Sequence, residues 1–265
     1  MGILNVTPDS FSDGGRHDAL EAAVARAKAM VEEGADIIDV GGESTRPGAK
    51  TVPVAEELRR TVPVVQAIRE ATADLDPGPL ISIDTRKPEV AEAAVLAGAD
   101  MWNDVSALTY SPASLPLAAE LGCPLVLMHA QGTPKTMQHR PRYDDPVEEV
   151  LASLRARVDA CEAAGVERAN ITVDPGIGFG KRLADNLALL RATDRFAALA
   201  PTLIGTSRKS FIQGIDGSPV DRRLPGSLSS ALYAVQGGAS LLRVHDVWET
   251  VQAVRVWEGI DRGAT

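Results

Sequence analysis

The residues best suited to chemistry in this 265-residue chain are polar groups that close a series of short apolar runs. Asn5 ends the first run, Asp84 the third, Asn103 and Asp104 the fourth, His129 the fifth and Asp174 the sixth. Ser207, Arg208 and Lys209 follow the seventh, and Arg243 and His245 the last. The set divides by charge. Asp84, Asn103 and Asp174 offer acceptors and donors to a flat nitrogen heterocycle, whereas Arg46, Arg208, Lys209, Arg243 and His245 suit phosphate oxygens. Residues 202–211, reading TLIGTSRKSF, concentrate this pattern. A helix beginning at 207–209 would aim its unpaired amides and two cations at one anion. A lone Ser-Arg-Lys-Ser reads as well as a capped surface helix. The nearly complete ring of strand-end polar residues is what turns the reading toward a site.

Elements that could hold such a ring are legible along the whole chain. Short β-branched or Leu-rich runs at 2–6, 36–40, 80–83, 101–103, 125–128, 171–174, 203–205 and 241–244 alternate with Ala-rich helical patterns. The helical stretches are 18–33, 54–73, 88–97, 114–121, 146–164, 183–190, 227–236 and 247–259. About eight strand–helix units in a chain of this length is the arithmetic of a single (β/α)8 TIM barrel, expected to span 1–265 as one domain. A doubly wound open sheet shares the same periodicity, which by itself does not show closure. Gly34, Gly98, Gly122, Gly165 and Gly238 each follow a helical stretch and precede a strand, the helix C-terminal position where a left-handed backbone favours glycine. The long loops 7–16, 41–52, 130–145 and 214–226 all follow strands, on the face of a barrel that carries chemistry.

Composition narrows the partners. A net charge of −9 argues against nucleic acid or an anionic membrane as the main partner, so an anionic substrate must be caught by a local cluster of cations. Cys123 and Cys161 lack metal-ligand spacing and read as buried free thiols, in keeping with a reducing, cytoplasmic setting. No apolar run reaches spanning length, and the first residues are too polar for a signal segment.

Longer motifs carry a family resemblance. ILNVTPDSFSDGG at 3–15 and GGESTRPGA at 41–49 resemble the two signatures of dihydropteroate synthases. SIDT at 82–85, NDVS at 103–106, MHAQG at 128–132, DPGIGFGK at 174–181, SRKSF at 207–211 and RVHDV at 243–247 match the remainder in order. The resemblance covers nearly the whole chain. It implies a barrel transferase that joins 4-aminobenzoate to (7,8-dihydropterin-6-yl)methyl diphosphate, releasing pyrophosphate in folate biosynthesis with Mg2+ on the diphosphate.

The roles implied residue by residue are as follows. Asp84, Asn103, Asp174 and Lys209 hold the pterin, with Phe179 beside it and Arg243 over its face. Asn5 contacts Mg2+, and Arg46, Arg243 and His245 bind the diphosphate. Phe11, Thr45, Pro47 and Ser210 frame 4-aminobenzoate, and Asp13 pairs with a transient pterin cation. His129 is left without a role. The resemblance also implies a homodimer built on 227–236 and 247–259, and sulfonamides as competitive inhibitors. Family members carry a short segment before the first strand. This chain opens on that strand, so either the barrel floor is closed differently or the natural start lies upstream. A corrinoid-dependent methyltransferase would share the Asp84, Asn103 and Asp174 pocket but has no use for the Phe11 loop or the Arg46 and Arg243 anion site, and in a non-catalytic phosphate- or pterin-binding barrel the aminobenzoate-side motifs would be purposeless.

Overall fold

The computed structural model describes residues 1–6, 16–44, 48–132 and 141–263. Six parallel strands run in chain order: β1 (Gly2–Asn5), β2 (Ile37–Gly41), β3 (Leu80–Asp84), β4 (Met101–Asp104), β5 (Leu125–Met128) and β6 (Ile171–Asp174). A parallel pair, β7 (Leu203–Ile204) and β8 (Leu241–Leu242), completes the set. Isolated bridges join Val173 to Thr202 and Gly2 to Val244. Val173 N–H donates to Pro201 O at 2.9 Å and Ile3 N–H to Val244 O at 2.9 Å. These bonds link both edges of the six-stranded sheet to the β7–β8 pair. The ring therefore closes, which periodicity could not show, and an open sheet is set aside.

The helices wrap the outside: α1 (Arg16–Glu32), α2 (Val54–Ala71), α3 (Pro88–Leu96), α4 (Ser114–Leu121), α5 (Pro146–Ala163), α6 (Leu183–Arg191), α7 (Thr193–Ala197), α8 (Ser210–Asp216), α9 (Leu224–Gln236) and α10 (Val247–Arg262). Most elements differ from the sequence reading by one to three residues at one end or both, as two strands illustrate. β2 is shifted one residue toward Gly41, and β8 ends at Leu242 where the apolar pattern suggested Val244. Val244 still bridges to Gly2, so the pattern reported burial rather than regular pairing. The glycines at 34, 98, 122, 165 and 238 all have positive φ, between 61° and 113°, as helix-ending positions require.

Alternation along the strands sorts the side chains into two cores. Outward-facing Ile38, Ile83, Trp102, Leu127 and Val173 are buried beneath the helices. Inside the barrel Met1, Ile37, Met101, Val126 and Leu203 make a separate apolar floor. Two residues further along the strands the interior turns polar, with Asp39 following Ile37, Asn103 following Met101 and Arg243 following Leu241. An apolar floor under a polar mouth concentrates every charged interior side chain at the C-terminal end. Cys123 and Cys161 are buried free thiols, and burial pushes the Cys161 thiol up to about 11.

Candidate active site

Register brings the strand-end residues level. Asn5 pairs with Gly41, Gly41 with Asp84, and Asp84 with Asn103, so three side chains from β1, β3 and β4 stand side by side around the glycine. Asp84, Asn103 and Asp174 are buried, and Asn5 is half-buried at the rim. Arg243 spans the interior. Its Nη2 donates to Asp84 Oδ2 at 2.6 Å and its Nε to Asp39 Oδ2 at 2.6 Å. Burial raises the Asp84 carboxyl to about 7; the Arg243 cation opposes that rise and the Asp39 carboxylate adds to it. Burial raises Asp174 as well, against the Gly176 amide that donates to it at 2.7 Å.

The loop after β6 is built for close approach. Gly176 and Gly180 have φ of 68° and 64°, and a Cβ on either would fall 1.9 Å from His129 O or 2.4 Å from Gln131 O. The backbone therefore lies directly on the end of β5. Lys181 fastens it there: Nζ donates to His129 O at 3.1 Å and Phe179 O at 3.0 Å, and lies 3.1 Å from His129 Nδ1. Burial, and next to it the charge of Lys181, pushes the His129 pKa down to about 3, so the imidazole is neutral. Burial likewise brings Lys181 down to about 7. His129 is thus a structural partner of Lys181.

Lys209 crosses to this loop from the other side of the mouth. Its Nζ donates to Ile177 O at 2.7 Å and sits 4.1 Å over the Phe179 ring. Burial lowers its pKa to about 8, with the Asp174 carboxylate resisting. Lys209, Phe179 and Asp174 therefore form one wall of the mouth.

Other expectations need correction. The helix after Gly205 does not begin at 207–209. Lys209 is the cap and α8 starts at Ser210. Arg208 has a positive φ of 58°, and its guanidinium turns outward to pair with Asp246, Nε to Oδ2 at 3.0 Å, so it is no part of the mouth. Ser207 instead ties two loops together, 3.0 Å from His245 Nδ1 and accepting from His245 N–H at 3.2 Å. His245 is held beside the mouth by this contact. Asp104 faces its own loop, accepting from Ser106 N at 2.7 Å and Leu108 N at 2.8 Å, where Ala107 and Leu108 both have positive φ. Ser210 is exposed at the first position of α8. Phe11, Asp13, Thr45, Arg46 and Pro47 lie outside the described residues.

Several contributors were missed. Asp39 is wholly buried, and a carboxylate inside the apolar run Ile37–Gly41 was a usable signal, since such charges are retained only when paired. A second set lies behind Asp84. Lys87 pairs with Glu43 and Glu57, Glu57 accepts from Thr85 Oγ1 at 2.7 Å, and Glu43 also takes Arg86 at 3.0 Å and the Val52 amide at 3.3 Å. This network clamps both ends of the segment that carries residues 45–47 against the start of α3. Nothing in the spacing of Glu43, Glu57 and Lys87 announced it.

A closed barrel with a buried polar mouth of carboxylates, an amide and two cations defines a binder of a flat, hydrogen-bonding ring. The chain matches the family described as pterin binding enzyme over residues 1–245. It is 49% identical over 259 residues to the dihydropteroate synthase of Escherichia coli strain K12, covering 97% of this chain and 90% of that protein. The structure of Xanthomonas albilineans dihydropteroate synthase with 4-aminobenzoic acid superposes with a TM-score of 0.91 at 50% identity, over 98% of this chain and 92% of that one. The Yersinia pestis enzyme in a sulfonamide complex gives a TM-score of 0.91 at 44% identity, over 99% and 94% of the two chains. The chain belongs to the pterin-binding enzymes and, among them, to the dihydropteroate synthases. It is a transferase of the (β/α)8 class.

Proposed function

We propose that the barrel mouth transfers the (7,8-dihydropterin-6-yl)methyl group from its diphosphate to the amine of 4-aminobenzoate, giving 7,8-dihydropteroate and pyrophosphate. The observation that carries this is the convergence of buried Asp84, Asn103 and Asp174 with Lys209 over Phe179 at one end of a closed barrel. An aminopyrimidinone edge presents N–H donors beside a carbonyl. Carboxylates accept from the first and an ammonium donates to the second, each such charged hydrogen bond contributing about 1.5–3 kcal/mol.

The aromatic amine is a neutral nucleophile, so the chain needs no base to prepare it. The difficult step is departure of diphosphate: the carbon–oxygen pair leaves with it, the dihydropterin ring takes up the positive charge, and the nitrogen lone pair then closes on the methylene carbon. The nitrogen sheds one proton to solvent. We assign His245, Arg46 and Arg243 to the leaving oxygens, whose developing charge they would stabilise, and Asp13 to the pterin cation. Among the described residues no cluster of three or more His, Cys, Asp or Glu could cage a metal. Asn5, half-buried at the rim, offers one amide oxygen that would hold Mg2+, an ion that takes hard oxygen ligands. Bound there, Mg2+ would neutralise charge on the departing diphosphate.

Phe11, Thr45, Pro47 and Ser210 are assigned to 4-aminobenzoate, and sulfonamides are expected to compete for that subsite. A cytoplasmic homodimer completes the reading. Support for the dimer comes from exposed Tyr233 on α9 and exposed Trp248, Val256 and Ile260 on α10. No helix among the described residues is long and apolar enough to cross a membrane.

Mixing the two substrates with Mg2+ should release pyrophosphate stoichiometrically with dihydropteroate. Asp174→Asn should lower turnover at least 100-fold while leaving the circular dichroism spectrum unchanged. Absence of pyrophosphate release from the wild type, or full turnover by the variant, would overturn the reading.

A further inference from the structure

We propose that Asp39 is a positioning residue for the reaction, setting Arg243 and Asn103 from one layer beneath the groups that meet the pterin. The proposal rests on the pterin reading of the mouth. Asp39 has no exposed surface and no route to substrate, lying on β2 between the apolar floor and Gly41. Register sets it beside Ile3 on β1 and Ser82 on β3. Its hydrogen bonds to Arg243 and Asn103 lead upward. Oδ2 accepts from Arg243 Nε at 2.6 Å, and its two oxygens lie 3.3 and 3.4 Å from Asn103 Nδ2.

Two consequences follow from the chemistry of a carboxylate. Arginine has a long, rotatable stem, and one contact would leave its plane free to turn. Holding Nε from below while Nη2 reaches Asp84 fixes the guanidinium at two points of its fork, with its plane defined across the barrel. An ionised carboxylate can only accept, so Asn103 must turn its NH2 group down toward Asp39. Its carbonyl oxygen is then the group left to meet a ligand. Asp39 thereby decides that Asn103 offers an acceptor, the complement of an N–H edge. An asparagine at 39 could donate or accept, and would lose both the orientation of Asn103 and the charge that holds Arg243.

The test compares Asp39→Asn with the wild type. Calorimetry with (7,8-dihydropterin-6-yl)methyl diphosphate should show at least a tenfold weaker Kd, while the KM for 4-aminobenzoate at saturating pterin diphosphate stays within threefold. The Arg243 Nε–H resonance, assigned by its loss in Arg243→Lys, should exchange slowly with solvent in the wild type and faster in the variant. A change in Kd below fivefold, equal losses for both substrates, or an Nε–H unaltered by the substitution would overturn the proposal. Should Asp39→Asn fail to fold, the wild-type resonance still decides: slow exchange supports the buried Arg243–Asp39 bond and rapid exchange refutes it. If the wild type releases no pyrophosphate, the functional reading falls, whereas the resonance tests the pairing on its own.

Discussion

Lys209 is a cation held where water cannot fully solvate it, and its pKa near 8 turns that burial into a pH dependence. Around its ammonium stand Asp174, which favours the charge, Arg243, which opposes it, and Asp84, which favours it again. If the ammonium donates to the pterin, kcat/KM for the pterin diphosphate should fall above about pH 8, because that ratio reports free-enzyme ionisations. The stability sign is opposite. The folded pKa lies below that of an exposed lysine, about 10.4, so the unfolded chain binds more protons between these values and the group's contribution to stability rises with pH. Activity should therefore drop across a range in which this group does not weaken the fold. Lys209→Arg, charged throughout, should show a lower plateau without the alkaline limb; a limb that survives the substitution would remove Lys209 from the assignment.

At the scale of elements, the β6–α6 loop is positioned by missing side chains. Gly176→Ala would place a methyl 1.9 Å from a backbone carbonyl at a φ of 68°, so the loop must lift from β5. Gly122→Ala supplies the control, having a similar φ of 61° and nothing within 4 Å. The control should cost about 1–2 kcal/mol from backbone strain alone. Gly176→Ala should cost more in denaturant unfolding and should also weaken pterin binding, since the Gly176 amide is a partner of Asp174. Equal costs would show that the loop yields freely. The β2–α2 connection depends instead on charge. Lys87→Met leaves Glu43 and Glu57 buried without their shared partner, and breaking such a pair typically costs about 3–5 kcal/mol. At about 2–4 °C per kcal/mol for a chain of this size, Tm should fall by more than about 6 °C. Lys87→Met/Glu57→Gln should recover part of that loss; no recovery would mean that packing, not charge, dominates.

The molecule as a whole is acidic, at −9, while the cations Lys209 and Arg243 stand in the barrel mouth. Among its exposed apolar side chains, Ile260 is 78% exposed and Val256 57% exposed one turn earlier on α10. Sedimentation should give twice the chain mass of 27.9 kDa, and Val256→Glu/Ile260→Glu should shift the species toward monomer. A wild-type monomer across micromolar concentrations would refute the dimer.

What the sequence determined by itself was periodicity and chemistry: the order of strands and helices, the helix-ending glycines, and the polar residues at or just past the ends of every strand but the second. Those features are local. An apolar run that ends in Asp84 or Asp174 reads the same in any fold, and long motifs such as 174–181 are specific enough to place a family. Tertiary structure decided what depends on partners distant in the chain. Ring closure rests on bridges from Gly2 to Val244 and from Val173 to Thr202. The outward turn of Arg208 depends on Asp246, and the neutrality of His129 on its burial and then on Lys181. Asp39 sat in plain view within an apolar strand, yet its importance appeared only when folding set Arg243, more than two hundred residues away, against its carboxylate. A buried charge is defined by its partner, and that pairing across the barrel is not encoded in either residue's neighbours.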